Sequence, residues 1–280
     1  MSSATPSPAQ PILGTQRLIG KKVFVTGASS GIGRSTALIF ARCGASVVLA
    51  ARSKDKLEAA REACVEANKA QGSPGEAQFA TAELDMRSRD SIDGLANRLP
   101  SWAPLSSFDI LVSNAGLVRG REKVGEIDAD EIDEVLETNV RGCIHLTQTF
   151  VREFRKKNSG HVICLGSIAG KEAYPGGSIY CASKFSIQAF HSSLLKELVD
   201  TQCRVTTIAP GMVNTEFSTV RYRGDKAKAD AEYKGLQPLS PDDIAEDIIF
   251  VASRPPHVQV ADVLVFPTNQ ASPYHSFRGN

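Results

Sequence analysis

The chain has 280 residues, 42% of them hydrophobic and 22% charged, with a formal net charge of only +1. These proportions suit a globular protein with room for one large α/β domain, and the absence of a basic block argues against nucleic acid or an anionic membrane as a partner. The six cysteines, at positions 43, 64, 143, 164, 181 and 203, include no C-x-x-C pair, and His145 near Cys143 is the closest thing to a ligand pair, with no second pair to complete a site. Neither a disulfide framework nor a metal site is expected.

The opening MSSATPSPAQPILGTQ is rich in Ser, Pro and Ala and has neither a basic start nor an apolar core segment. Residues 1–17 therefore read as a flexible tail ahead of a single domain over 18–280, and the missing targeting signal predicts a cytoplasmic location. No apolar run approaches the ~18 residues that a membrane helix needs.

From residue 21 short apolar runs alternate with longer amphipathic ones. KKVFVTG (21–27) predicts a strand ending in glycine, GRSTALIFARCG (33–44) a helix stopped by Gly44, ASVVLAAR (45–52) a strand and SKDKLEAAREACVEANKA (53–70) a second helix. Strands over 76–85 and 108–116 flank a helix over 88–102. One long helix over 128–157, a strand over 160–167, another long helix over 176–200 and a strand over 203–211 follow, then a helix over 240–253 and a last strand over 261–267. Residues 70–76 read as a surface turn. The longer irregular stretch 215–240, charged and aromatic, reads as a substrate lid after a strand end, with a disordered insertion as the plainer alternative. Strands that are continuously apolar and separated by helices predict an α/β fold: a single-domain, Rossmann-type, doubly wound parallel sheet.

After the first predicted strand comes Thr26-Gly27-Ala28-Ser29-Ser30-Gly31-Ile32-Gly33-Arg34. Glycines there let the turn take conformations that other residues resist, and let the backbone approach a pyrophosphate at a helix N-terminus. At the end of the second strand an acidic residue would bind the ribose hydroxyl of NAD; here Arg52 stands in that region, and Arg34 follows the loop, so a 2′-phosphate and hence NADP is expected. The plainer reading of either arginine is a solvated surface side chain. Asp85, ending the third strand, is placed to accept from the adenine amino group or to cap the following loop. Asn114-Ala115-Gly116 ends the fourth strand with small residues beside which a cofactor can pass.

Tyr180 and Lys184 stand one helical turn apart in GSIYCASKF, on the same helix face. A cation beside a phenol favours the phenolate, which makes tyrosine a usable acid and base. On its own this spacing is common; in company it is not. TGASSGIG, SNAG, TNV, GSIAG, YCASK and APGMVNT occur in one order, and together they resemble the short-chain dehydrogenase/reductase family from Leu18 to the chain end. The departure is Ser113, where the family usually has asparagine.

That resemblance implies a catalytic set. Tyr180 would exchange the proton at the substrate oxygen, Lys184 would support it and bind the nicotinamide ribose, Ser167 would hydrogen-bond the same oxygen, and Asn139 would hold a relay water or simply pack the helix. Pro210, Gly211, Val213 and Thr215 would flank the nicotinamide, with Gly27, Ser29, Ser30, Gly31, Ile32 and Gly33 around the phosphates. The C-terminal stretches AYPGGSIYCASKF, TEFSTVRYRG and FPTNQASPYHSFRG are similar to the NADP-dependent 3-hydroxy acid dehydrogenases, which act on serine, L-allo-threonine and 3-hydroxyisobutyrate. A substrate carboxylate then needs a cation, for which Arg221 is the first choice over Arg223, against the alternative of a solvated lid arginine. A homotetramer built on the helices near 127–157 and 178–200 is also implied. Two other readings stay open: a carbonyl reductase of the same fold acting on a ketone, sugar or polyol, and a non-catalytic nucleotide-sensing protein.

Overall fold

The structure, a computed structural model, describes residues 14–72 and 76–279. Residues 1–13 of the expected tail and the centre of the 70–76 turn lie outside the described residues. Residues 14–17 are not tail-like: Thr15–Leu18 form a 3-10 turn, Leu18 is buried, and Arg17 donates to the carbonyl of Ser253.

In chain order the elements are β1 (Lys22–Thr26), α1 (Gly31–Arg42), β2 (Ser46–Ala51), α2 (Lys54–Ala70), β3 (Phe79–Glu83), α3 (Arg89–Asp93), β4 (Ile110–Ser113), α4 (Ala129–Leu136), α5 (Cys143–Lys156), β5 (Gly160–Leu165), α6 (Ser178–Glu197), β6 (Cys203–Pro210), α7 (Glu216–Arg221), α8 (Lys226–Ala231), α9 (Pro241–Ala252) and β7 (Asp262–Val265). All seven strands pair in parallel in the order β3-β2-β1-β4-β5-β6-β7, the expected Rossmann-type sheet. The order reverses between β1 and β4, which opens a crevice at the strand C-termini where such sheets bind ligands.

The continuously apolar strands are explained by burial on both faces. Val23 and Val25 face a core with Phe40, Leu49 and Ile248, whereas Phe24 faces the opposite core with Phe108, Phe150 and Phe154. Phe24 meets Phe108 edge to face at 5.5 Å between ring centres, a favoured arrangement of the aromatic quadrupoles. Helix α9 starts with a full capping box: Ser240 Oγ accepts from Asp243 N–H, and Asp243 accepts from the Ser240 backbone N–H.

Three elements differ from expectation. The helix expected over 88–102 stops at Asp93 and continues as a 3-10 turn, Gly94–Arg98, because Gly94 is a poor helix residue and Pro100 lacks the N–H needed to continue. The helix expected over 128–157 is two, α4 and α5, joined by a wider π-type turn, Glu137–Gly142. There Gly142 lies so close to β3's following loop that a Cβ would stand 2.1 Å from the Met86 carbonyl oxygen. The 215–240 stretch is ordered, carrying α7 and α8, and Val213 pairs with Leu239 at its base.

Candidate active site

A cavity of about 510 Å³ lies at the C-terminal ends of β1, β2, β4, β5 and β6. Its floor is the glycine turn after β1. Gly27 and Gly31 have positive φ, of 64° and 52°, which a side chain would strain. Gly33 answers a different need: a Cβ there would stand 2.4 Å from the Gly27 carbonyl oxygen and 2.5 Å from Asn114 Nδ2. Asn114 is the clasp of this turn, its Nδ2 donating to the Thr26 carbonyl at 2.9 Å, while the backbone N–H groups of Asn114 and Ala115 donate to Thr26 Oγ1. Ser30 caps α1 without a side-chain hydrogen bond, so the first N–H groups of this helix remain available to an anion.

Of the residues expected to hold cofactor, Gly27, Ser29, Ser30, Gly31, Ile32, Arg52, Asp85, Asn114, Ala115, Gly116, Pro210, Gly211, Val213 and Thr215 line the cavity. Gly33 and Arg34 do not; Gly33 acts by packing, and Arg34 is exposed on α1. Ser53 and Lys56, which sequence reasoning passed over, line the cavity next to Arg52. Lys56 pairs with Glu216 of α7 at 3.2 Å, linking the 215–240 stretch to this end of the cleft. Asp85 is clamped locally: against the desolvation of partial burial, hydrogen bonds from the backbone and guanidinium of Arg87 hold its carboxyl below the ordinary value.

The wall opposite carries Ser167, Tyr180 and Lys184, all three on the cavity. Tyr180 and Lys184 occupy one face of α6, as their spacing required, with Lys184 Nζ 5.7 Å from the Tyr180 ring centre and donating to the Leu165 carbonyl at 2.7 Å. Ser167, just past β5, accepts from the Ala169 N–H at 3.1 Å, which leaves its own hydroxyl proton free. Asn139 sits in the π-type turn and does not line the cavity. Its Oδ1 accepts from the Leu117 N–H at 2.8 Å, and its Nδ2 donates to the Leu117 carbonyl at 2.7 Å and to Ser183 Oγ at 3.1 Å. Between it and Lys184 lies Gly116, where a Cβ would stand 3.2 Å from Asn139 Oδ1 and 3.8 Å from Lys184 Nζ.

The 215–240 stretch packs on this wall. Thr215 caps α7 by accepting from the Phe217 N–H, and Phe217 packs edge-on against Tyr180 at 5.6 Å between ring centres. The two lid arginines part company. Arg223 is exposed and tied to Glu131 at 2.7 Å and Glu122 at 3.0 Å. Arg221 instead is half-buried and does not itself line the cavity; it donates to the Tyr174 hydroxyl at 2.6 Å, and its buried Nε lacks any partner. Burial pushes the Tyr174 phenol above its ordinary value despite the guanidinium beside it, so it stays neutral at Arg221. Arg119, a further cavity residue that the sequence did not flag, pairs with Glu134 at 2.6 Å, and that bond holds the Glu134 carboxyl below its ordinary value.

The cavity fits a dinucleotide carrying a 2′-phosphate: a glycine turn opening a helix N-terminus at one end, the cations Arg52 and Lys56 at the end of β2, where NAD would call for an acid on that strand end, and small residues along β4. No helix among the described residues is long and apolar enough to cross a membrane.

Residues 21–225 match the short chain dehydrogenase family. The NADP-dependent 3-hydroxy acid dehydrogenase of Schizosaccharomyces pombe is 41% identical, the match covering 94% of this chain and 98% of that protein. A sulfoacetaldehyde reductase of Chromohalobacter salexigens is 36% identical over 89% of this chain and 94% of its own. Among solved structures, the closed form of a serine dehydrogenase complexed with NADP+ superposes with a TM-score of 0.83 at 31% identity, covering 92% of this chain and all of that one.

Proposed function

The chain belongs to the short-chain dehydrogenase family, an NADP-dependent oxidoreductase acting on CH–OH groups, and from that premise we propose that its substrate is a small 3-hydroxy acid of the serine, L-allo-threonine or 3-hydroxyisobutyrate class, oxidised at C3. The observation that carries this reading is Arg221. Its guanidinium has a buried, unpartnered Nε and lies 5.9 Å from the ring centre of Tyr180, just behind the cavity-lining Phe217 and Val220, so its positive charge supports the binding of an acid group on a substrate whose hydroxyl meets the tyrosine.

Bound in the cavity, NADP supplies the acceptor for the hydride that leaves C3. The rest of the chemistry belongs to this chain. Tyr180 takes the hydroxyl proton, Ser167 donates its free hydroxyl proton to the same substrate oxygen, and Lys184, fixed by the Leu165 carbonyl, keeps a positive charge beside the phenol. Asn139 ties the Leu117 backbone to α6, and only Gly116 separates it from Lys184, which supports a role for Asn139 in a water-borne proton relay to that lysine. Phe217 and the lid over 215–240 exclude bulk water from Tyr180.

We further propose a single catalytic domain over 18–280, a cytoplasmic location, and a homotetramer whose interfaces include the exposed Leu136 near the end of α4 and Phe185 on α6. The test of the substrate class is reduced-nicotinamide absorbance with NADP, and separately NAD, against L-serine, L-allo-threonine, 3-hydroxyisobutyrate and a carboxylate-free secondary alcohol. Turnover with NADP and the hydroxy acids is expected. Turnover with the plain alcohol alone moves the protein to the general carbonyl reductases. Because a guanidinium accepts a sulfonate as well as a carboxylate, sulfoacetaldehyde with NADPH completes the panel.

A further inference from the structure

Cys143, Cys164 and His191 are far apart in sequence, and the fold brings them together behind the active-site wall, where none of them lines the cavity. Cys143 is the first residue of α5, directly after the π-type turn; Cys164 lies in β5 and His191 in α6. All three are 3% exposed or less. Their two sulfurs and one imidazole nitrogen lie within 4.8 Å of one another. A tetrahedral zinc ion, with Zn–S near 2.3 Å and Zn–N near 2.0 Å, holds such ligand atoms about 3.8 Å apart, so side-chain adjustments of about 1 Å close the site.

The surroundings also suit an ion. His191 Nδ1 meets Thr207 Oγ1 at 3.4 Å, whereas its Nε2 is buried and has no partner. A metal-bound histidine shows this division: one nitrogen oriented by a hydrogen bond, the other free to coordinate. Ser113 Oγ lies 3.3 Å from Cys143 Sγ, a fourth polar atom beside the cluster. Ile187 and Ile144 pack on the two sulfurs from the apolar side, and Lys184 is the charged group near Cys164. Two thiolates and a divalent cation sum to zero charge, which an apolar core tolerates and two lone thiolates would not.

We propose that Cys143, Cys164 and His191 form a buried site for one Zn2+ ion, separate from the NADP and substrate cavity. Binding forms two Zn–S bonds and one Zn–N bond, and the two thiol protons leave to solvent. The site is one residue from the active site, since Leu165, next to Cys164, supplies the carbonyl that holds Lys184. A bound ion therefore braces the end of β5 from behind.

The probe is Co2+, whose thiolate complexes absorb strongly where Zn2+ is silent. The full chain is expressed in minimal medium supplemented with Co2+, so that the ion meets the site before the core closes, then purified under a thiol-free reductant. About one Co2+ per chain with thiolate-to-metal charge-transfer bands is expected, released on exchange with Zn2+. Cys164→Ala and His191→Ala lose at least about nine-tenths of the bound metal, while Cys203→Ala, outside the cluster, keeps it. Each variant is first checked for a cooperative thermal transition, and Cys143→Ala replaces any that fails. Wild-type protein without charge-transfer bands overturns the proposal, as does metal retained in a folded variant of the cluster.

Discussion

Arg221 Nη2 donates to the Tyr174 hydroxyl at 2.6 Å, and the guanidinium carbon lies 5.7 Å from the Tyr174 ring centre and 5.9 Å from that of Tyr180. The Arg221 cation is thus anchored by one tyrosine and lies beside another. Arg221→Ala is expected to raise KM for 3-hydroxy acids by roughly 10- to 100-fold, the worth of a desolvated charge-assisted hydrogen bond, while leaving NADP affinity within about twofold. Tyr174→Phe removes the anchor but not the charge and raises KM less. Steady-state kinetics with a hydroxy acid and a carboxylate-free alcohol checks both, and an unchanged KM for the acid refutes the role.

Tyr180→Phe keeps the ring that packs on Phe217 and removes only the hydroxyl. Turnover is expected to fall by about 10²- to 10⁴-fold, the usual worth of a positioned acid or base, with NADP binding by calorimetry nearly unchanged. Retained turnover would dismiss Tyr180 as the proton-transfer residue.

Arg52 and Arg34 separate two explanations of cofactor choice, because Arg52 lines the cavity and Arg34 does not. Arg52→Asp should lower kcat/KM for NADP by roughly 10- to 100-fold and shift preference toward NAD. Arg34→Ala should change the NADP-to-NAD ratio by less than about threefold. Equal effects from the two would mean that Arg34 reaches the phosphate through a movement of α1.

Burial, with Asp243 and Glu246 adding like charge, pushes the Asp247 carboxyl above its ordinary value. Folded protein therefore binds this proton more tightly than unfolded protein, so the group lowers stability as pH rises from about 3.9 through the raised folded value, and the loss persists at neutral pH. Asp247→Asn is expected to raise Tm at pH 7 by about 1–2 °C, the gain shrinking to nothing as pH falls below the ordinary carboxylate range. A gain that stays constant down to acidic pH would point to a cause other than ionisation.

Much of this was legible in the sequence, because periodicity and turn chemistry are local. The parallel sheet followed from continuously apolar strands, and Tyr180 and Lys184 shared a helix face as their spacing required. What escaped depends on contacts between distant segments. The π-type turn that carries Asn139 ends at Gly142, which lies close against Met86, and no periodicity records that contact. The packing need at Gly33, where a Cβ would meet Gly27 and Asn114 across the β1–β4 seam, is not visible in the glycine motif itself. Lys56 was hidden inside an ordinary amphipathic helix, and only the lid's Glu216 gives it a place at the cleft. Cys143, Cys164 and His191 have no shared motif, since a helix start, a strand and a helix middle converge on them.

The sheet order also governs how the protein is made. Strand β1 takes β2 on one side and β4 on the other, and β4 is synthesised only after β2 and β3 have been added. Until Ser113 has left the ribosome, one edge of β1, with Val23, Phe24 and Val25, is an open parallel ladder at what will become the middle of the molecule. A nascent chain that ends between Thr26 and Ser113 leaves that edge without its native partner.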